Sequence, residues 1–225
     1  MIKGKENANG LRKKINISSE AKLMGMDSYV PFLVILIAII YTCFSPDLES
    51  LQYISRIIEF VVCPIAAWWS VYLFLDYSGD KDKTAELTPN SLTPILSYGL
   101  IRVTSFFLVF LTAFFVLLIS ITLRYPYPYI SLFNLTIIYV PQTVLYCYLG
   151  FFLMVLSRNI VIPLFILLTY IVVKYWTTRD IPVYNVMSFS IDMQLYPRII
   201  LLAVKNSALA LALAIGGHFI LVKCN

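Results

Sequence analysis

Long apolar runs alternate with shorter polar ones along the whole chain. The apolar runs are Tyr29–Phe44, Arg56–Leu75, Tyr98–Leu123, Tyr129–Leu156, Ile160–Tyr175 and Ile199–Val222. None shows the period-two alternation of a half-buried strand. A run of ~20 apolar residues suffices to cross the bilayer hydrocarbon as a helix, so each is read as a span, the first and fifth slightly short. The pattern predicts an all-α polytopic membrane protein with six transmembrane helices. Pro31 falls in a first turn, where a missing N–H is tolerated, whereas Pro64 and Pro141 fall inside spans and predict kinks.

The polar intervals differ in kind. Ser45–Ser55 holds Asp47 and Glu49 without a basic residue, and is expected to be a loop. Arg124–Pro128 and Ser157-Arg158-Asn159 are short breakers, the second so short that its flanking helices must be antiparallel neighbours. Trp176–Pro197 mixes Arg179, Asp180 and Asp192 with many apolar residues, which predicts one or two short helices dipping into the outer leaflet. The longest polar interval is Asp76–Pro94, carrying Asp80, Lys81, Asp82, Lys83 and Glu86. Together with Ile95–Ser97 it forms a connector that cannot lie in hydrocarbon.

Composition agrees with this layout. The 225 residues are 60% hydrophobic and only 13% charged, against roughly 25% charged in soluble domains, and the mean hydropathy is +0.84. Residues 1–28 form a basic tail with Lys3, Lys5, Arg12, Lys13, Lys14 and Lys22, and residues 29–225 form a single membrane domain. Ser18 or Ser19 can cap a short helix running through Met26, which is read as an interfacial element. The basic cluster places the N-terminus in the cytoplasm, and six spans return the C-terminus there. The connector is then cytoplasmic and the 176–197 segment external. The net charge of +5 is explained by this tail contacting membrane lipid, not by nucleic acid.

Little catalytic chemistry is available. With His218 alone, a multi-histidine metal site and the HExxH arrangement are excluded. No GxxxxGK[ST] phosphate loop occurs, so the chain has no P-loop of its own. Cys43, Cys63, Cys147 and Cys224 are scattered without metal-ligand spacing. Within the spans the notable residues are charged. Glu59 and Lys205 lie toward the outer half and could pair with one another, or each could snorkel to an interface. Arg102 and Arg158 mark the cytoplasmic edge.

Ala66-Ala67-Trp68-Trp69-Ser70 running on to Asp76, then Glu86-Leu87-Thr88, Ser91-Leu92-Thr93-Pro94 and Arg102, resembles the permease subunits of type-2 ATP-binding-cassette (ABC) transporters. Ile95-Leu96-Ser97 stands where that family usually carries a basic residue. The likeness in layout covers most of the chain. It implies that the connector is a coupling helix docking on a separate ATPase through Asp80, Lys81, Asp82, Lys83, Glu86, Leu87 and Leu92. It also implies a dimer with a second or homologous permease copy, and a substrate path lined by the first, second and fifth spans. ATP and Mg would be bound by the partner, with no cofactor on this chain. The implied activity is export of a peptide, antibiotic or lipid-like molecule across a bacterial cell membrane. The competing expectation is a non-transporting assembly or immunity subunit of a larger complex.

Overall fold

A computed structural model describes residues 22, 24–45, 48–74, 89–177, 184–188 and 193–223. Among them every regular element is helical. A 3₁₀ turn, Gly25–Tyr29, leads into α1 (Val30–Phe44). Then α2 (Leu48–Ile57) passes through a π-helical turn, Ile58–Val62, into α3 (Cys63–Tyr72). The remaining helices are α4 (Pro89–Arg124), α5 (Leu132–Ser157), α6 (Val161–Thr177) and α7 (Pro197–Lys223).

Among the described residues five helical stretches are long and apolar enough to cross a membrane: Gly25–Phe44, Leu51–Tyr72, Gly99–Arg124, Leu132–Ser157 and Pro197–Lys223. The sixth expected span, α6, is apolar but has 17 residues, or about 26 Å, less than the ~30 Å of hydrocarbon.

Contacts at the ends fix how the helices run. Trp68 Nε1 and Trp69 Nε1 donate to the carbonyls of Asp27 (3.1 Å) and Ser28 (3.0 Å), joining the start of α1 to the end of α3. At the opposite end the Arg124 guanidinium donates to the carbonyl of Ser45 at 3.1 Å. The helices therefore alternate in direction. One end of the bundle carries the end of α3 and both described termini; the other carries the α1–α2 turn and the start of α7.

The amphipathic pattern explains a departure from the sequence reading at Ser45–Ser55. Helix α2 covers most of it, because Leu51, Ile54, Ser55 and Ile58 recur at helical spacing and are buried while Gln52, Tyr53 and Arg56 face outward. Its polar face hid this helix from a hydropathy reading. Pro64 then lacks an N–H for the turn before it, and the Cys63 N–H bonds to the Ile58 carbonyl five residues back, which is the π geometry. A second departure concerns the connector. Residues 89–97 are not a separate element but the start of α4, with Pro89 at a first helical position where its fixed φ is favourable. Helix α4 thus has 36 residues, about 54 Å, and runs about 15 Å past its apolar stretch at the connector end. Of the proposed interfacial helix, residues 22 and 24 are helical, Gly25 and Met26 begin the 3₁₀ turn, and the rest lies outside the described residues.

The platform for the bundle is α5, which packs most extensively against α7 and α3. Ser131 caps its start by accepting from the Asn134 N–H at 3.2 Å. It ends at Arg158, whose left-handed φ of 51° lets its N–H bond the Met154 carbonyl at 2.9 Å; the Asn159 carboxamide oxygen then accepts from the Val161 N–H at 2.8 Å. This tight turn makes α5 and α6 the antiparallel neighbours expected from Ser157-Arg158-Asn159. On the α3 side Gly150 is in close contact: a Cβ there would lie 2.6 Å from Ser70 Oγ and 3.1 Å from the Ala67 carbonyl oxygen.

Gly150→Leu should therefore separate α3 from α5 and lower stability by about 1–3 kcal/mol, the usual cost of overpacking. Gly216→Ala is the matched control, since its Cβ would sit 3.4 Å from the Phe152 ring. Thermal unfolding of both variants in detergent should show a lowered midpoint for Gly150→Leu alone.

Candidate functional site

A cluster of polar side chains lies inside the bundle, between α2, α3, α5, α6 and α7. Its centre is Glu59, 2% exposed, in the π turn. Counted from Leu51, Glu59 sits about 12 Å along its apolar stretch; Gln142 sits about 15 Å into α5, and Asn206 about 13 Å into α7. These depths agree, so the groups lie in one layer well inside the hydrocarbon at the end opposite the connector.

Each helix places its contribution by helical spacing. Ser55, Glu59 and Cys63 are four apart and all face α5: Ser55 Oγ lies 3.0 Å from Tyr139 OH, Gln142 Nε2 donates to Glu59 Oε1 at 3.5 Å, and the Cys63 thiol is 3.9 Å from the Tyr139 carbonyl. On α5, Tyr139, Gln142 and Tyr146 lie on one face. Gln142 Nε2 also donates to the Ile138 carbonyl at 3.0 Å, one turn back on its own helix, which holds the carboxamide against α5. On α6, Tyr170 and Lys174 are one turn apart, Lys174 being only 2% exposed. Asn206, 1% exposed, comes from α7.

Residues 184–188 close this layer. They adopt no helix, although they fall in the 176–197 segment expected to be helical; nor do residues 193–196. The reason is visible in their main-chain bonds, which go to side chains of the surrounding helices. Tyr170 OH donates to the Tyr184 carbonyl at 2.9 Å and accepts from the Val186 N–H at 3.0 Å. Asn206 Nδ2 donates to the Val186 carbonyl at 2.9 Å, and its Oδ1 accepts from Tyr184 OH at 2.9 Å. Glu59 Oε1 accepts from the Ser188 N–H at 3.1 Å and from the Ser188 hydroxyl. Val186 and Met187 are buried. This strap is non-helical backbone at membrane depth, permitted because protein groups satisfy it.

The candidate residues from the sequence are distributed as follows. Glu59 is central, but Lys205 is exposed and forms no pair with it among the described residues; its neighbour Asn206 faces inward instead, and the buried cation of the layer is Lys174. The expected Glu59–Lys205 pairing is corrected accordingly: helical phase turns position 206, not 205, toward α5 and the strap. Arg102 is half-buried near the connector end, its guanidinium carbon 6.0 Å from the Phe74 ring centroid. Arg158 is exposed at the α5–α6 turn. Leu92 lies in the first turns of α4; Asp80, Lys81, Asp82, Lys83, Glu86 and Leu87 lie outside the described residues. Lys174, Gln142, Tyr170, Asn206 and Ser188 were not singled out by sequence. A signal existed for two of them, since Tyr170 and Lys174 are one turn apart in an otherwise apolar helix.

Among the described residues no group of three or more His, Cys, Asp or Glu could hold a metal ion. Comparison of the chain with protein-family models, with curated proteins and with solved structures finds no match.

Replacing Glu59 by Leu removes the acceptor for the Ser188 N–H and hydroxyl and for Gln142. Each buried donor left unpaired costs about 1–3 kcal/mol. Lys205→Leu, on the exposed face, should stay within about 0.5 kcal/mol of wild type. Parallel denaturation in mixed micelles should show a large loss for the first and none for the second; equal effects would contradict the geometry.

Proposed function

We propose that this chain is the membrane-spanning permease subunit of an ABC exporter, with six spans, both termini in the cytoplasm of a bacterial cell, and a separate ATPase subunit that binds ATP and Mg. It moves a peptide, antibiotic or lipid-like amphipathic substrate, and pairs with a second or homologous permease copy. The observation that carries this reading is the junction between the polar connector and α4. The polar interval 76–94 is still running in sequence at Pro89, where a single helix of 36 residues, about 54 Å, begins. A helix of that length moves as a rigid body, so force applied at Pro89 reaches Arg124 at the opposite end.

The buried polar layer supports the same reading. Ionisable groups at such depth are costly and usually mark a pathway or its closure. Glu59 and Asn206 both bond the strap, and Lys174 is buried near the same end of α6, so the site of drive and the site of closure are at opposite ends of the same bundle.

Affinity purification of the tagged chain from its native membrane should bring down a nucleotide-hydrolysing subunit. Reversing Asp80 and Asp82 to Lys should abolish that association while leaving the purified chain monodisperse. Recovery of the chain with membrane proteins but with no ATPase would favour the assembly or immunity subunit instead.

A further inference from the structure

The bonds to residues 184–188 follow a period of two. The Tyr184 carbonyl, the Val186 N–H, the Val186 carbonyl and the Ser188 N–H are each taken by a side chain, at 2.9, 3.0, 2.9 and 3.1 Å. In an extended chain the N–H and C=O of one residue point the same way as those two residues further on. The alternation of these four groups is that of one edge of an extended peptide. In a sheet such an edge would pair with another strand. Here it is read by Tyr170, Asn206 and Glu59, which come from three different segments of the bundle.

Most of what these side chains recognise is main chain, which any peptide can supply. The strap's own side chains add Tyr184 OH on Asn206 and the Ser188 hydroxyl on Glu59, both on residues already used for the backbone. The wall also has capacity that the strap does not use. Gln142 Oε1 and Tyr146 OH are buried and have no hydrogen-bond partner among the described residues. They lie one turn apart on α5, and the Tyr146 ring stands 6.5 Å from the ring of Tyr170, which holds the strap. One free acceptor and one hydroxyl next to an extended peptide match the N–H and C=O of a further peptide unit.

We infer that this wall is a binding site for an extended peptide, and that residues 184–188 occupy it as an internal pseudo-ligand. The ligand class is a short linear peptide held through its main chain, displacing the strap residue for residue. This deepens the transport reading by naming the cargo class, and rests on that reading only for where the peptide goes. Binding itself needs no ATPase, so the two can fail separately.

The probe is acetyl-Tyr-Asn-Val-Met-Ser-amide, the sequence of residues 184–188, offered to the full chain in nanodiscs. Val186→Pro removes the N–H given to Tyr170 and so unseats the strap without touching Glu59, Tyr170 or Asn206. Ser188→Pro removes the N–H given to Glu59 and serves as the second release variant. Met187→Cys, introduced beside either, reports release by alkylation, because Met187 is fully buried in the seated strap. The expected result is a protected position 187 and no peptide binding in the chain with the strap intact, and alkylation with peptide binding in a release variant. Binding should weaken at least ~10-fold, the value of one hydrogen bond of ordinary strength to a buried partner, when Asn206→Leu is added or when the valine of the peptide is N-methylated. Continued protection of position 187 in both release variants overturns the proposal. So does a released strap that leaves the peptide unbound, or binding indifferent to N-methylation and to Asn206→Leu. If neither release variant folds, as judged by size-exclusion, the strap is structural and the proposal also falls. A negative peptide result with ATPase association intact refutes the peptide site alone.

Discussion

A peptide group in hydrocarbon has no water to bond, and leaving it unpaired costs several kcal/mol. Helices meet that requirement within themselves. The strap cannot, and the side chains around it are arranged to compensate. Tyr170 serves a carbonyl and an N–H two residues apart with one hydroxyl, and Asn206 offers its amide to Val186 while its oxygen takes the Tyr184 phenol. Glu59 accepts from both donors of Ser188. Remove the strap from the bundle and Tyr170 and Asn206 lose the hydrogen bonds described here, while Glu59 loses both bonds from Ser188 and keeps Gln142. Remove the side chains and the strap cannot stay at that depth. The two are therefore mutually required in this arrangement, and the shortness of α6 leaves the room in which they meet.

The same constraint explains the π turn. Pro64 leaves a gap in the hydrogen-bond ladder, and the Cys63 N–H closes it by bonding the Ile58 carbonyl. The extra residue in that turn keeps Ser55, Glu59 and Cys63 all facing α5 despite the proline. Helix α5 can receive them because its own surface alternates function with closeness. Tyr139, Gln142 and Tyr146 supply polar groups in the strap-side half, whereas Gly150 lets α3 approach in the connector-side half. A Cβ at Gly217 on α7 would likewise fall 2.7 Å from the Phe151 ring, so the tight contacts on both flanks of α5 lie below the polar layer. Tight packing in that half holds the helices in the register that aligns the groups above.

Much of this architecture was legible in the residues. Hydropathy alone located α1, α5 and α7 to within a few positions, because long apolar runs in a membrane protein have few other fates. The α5–α6 turn followed from Ser157-Arg158-Asn159, too short to do anything but reverse the chain. Helix α2 was illegible for the opposite reason: Glu49, Gln52 and Arg56 lower its hydropathy, and only its period of burial reveals it. The strap was misread as helical because its apolar residues suit either conformation, and nothing local says that its carbonyls will meet Tyr170 and Asn206. Glu59 stood out as a charge inside a span, but its partner did not, since the choice between Lys205 and the groups on α5 and the strap depends on a helical phase that sequence separation does not give.

Charge balance sets the last condition on the layer. An isolated ionised carboxylate or ammonium at this depth would be driven to its neutral form. Among the described residues the layer holds one buried acid, Glu59, and one buried base, Lys174, each 2% exposed. The ring of Phe60 meets that of Tyr175 edge-on at 5.4 Å, which packs the residue after Glu59 against the residue after Lys174 and holds the π turn to the end of α6. Arg56, Arg124 and Lys205 lie toward the same end of the bundle, but they are exposed and so need no compensation inside it. Burial of a single acid with a single base is thus what lets a hydrogen-bonding site for backbone exist inside an otherwise apolar bundle.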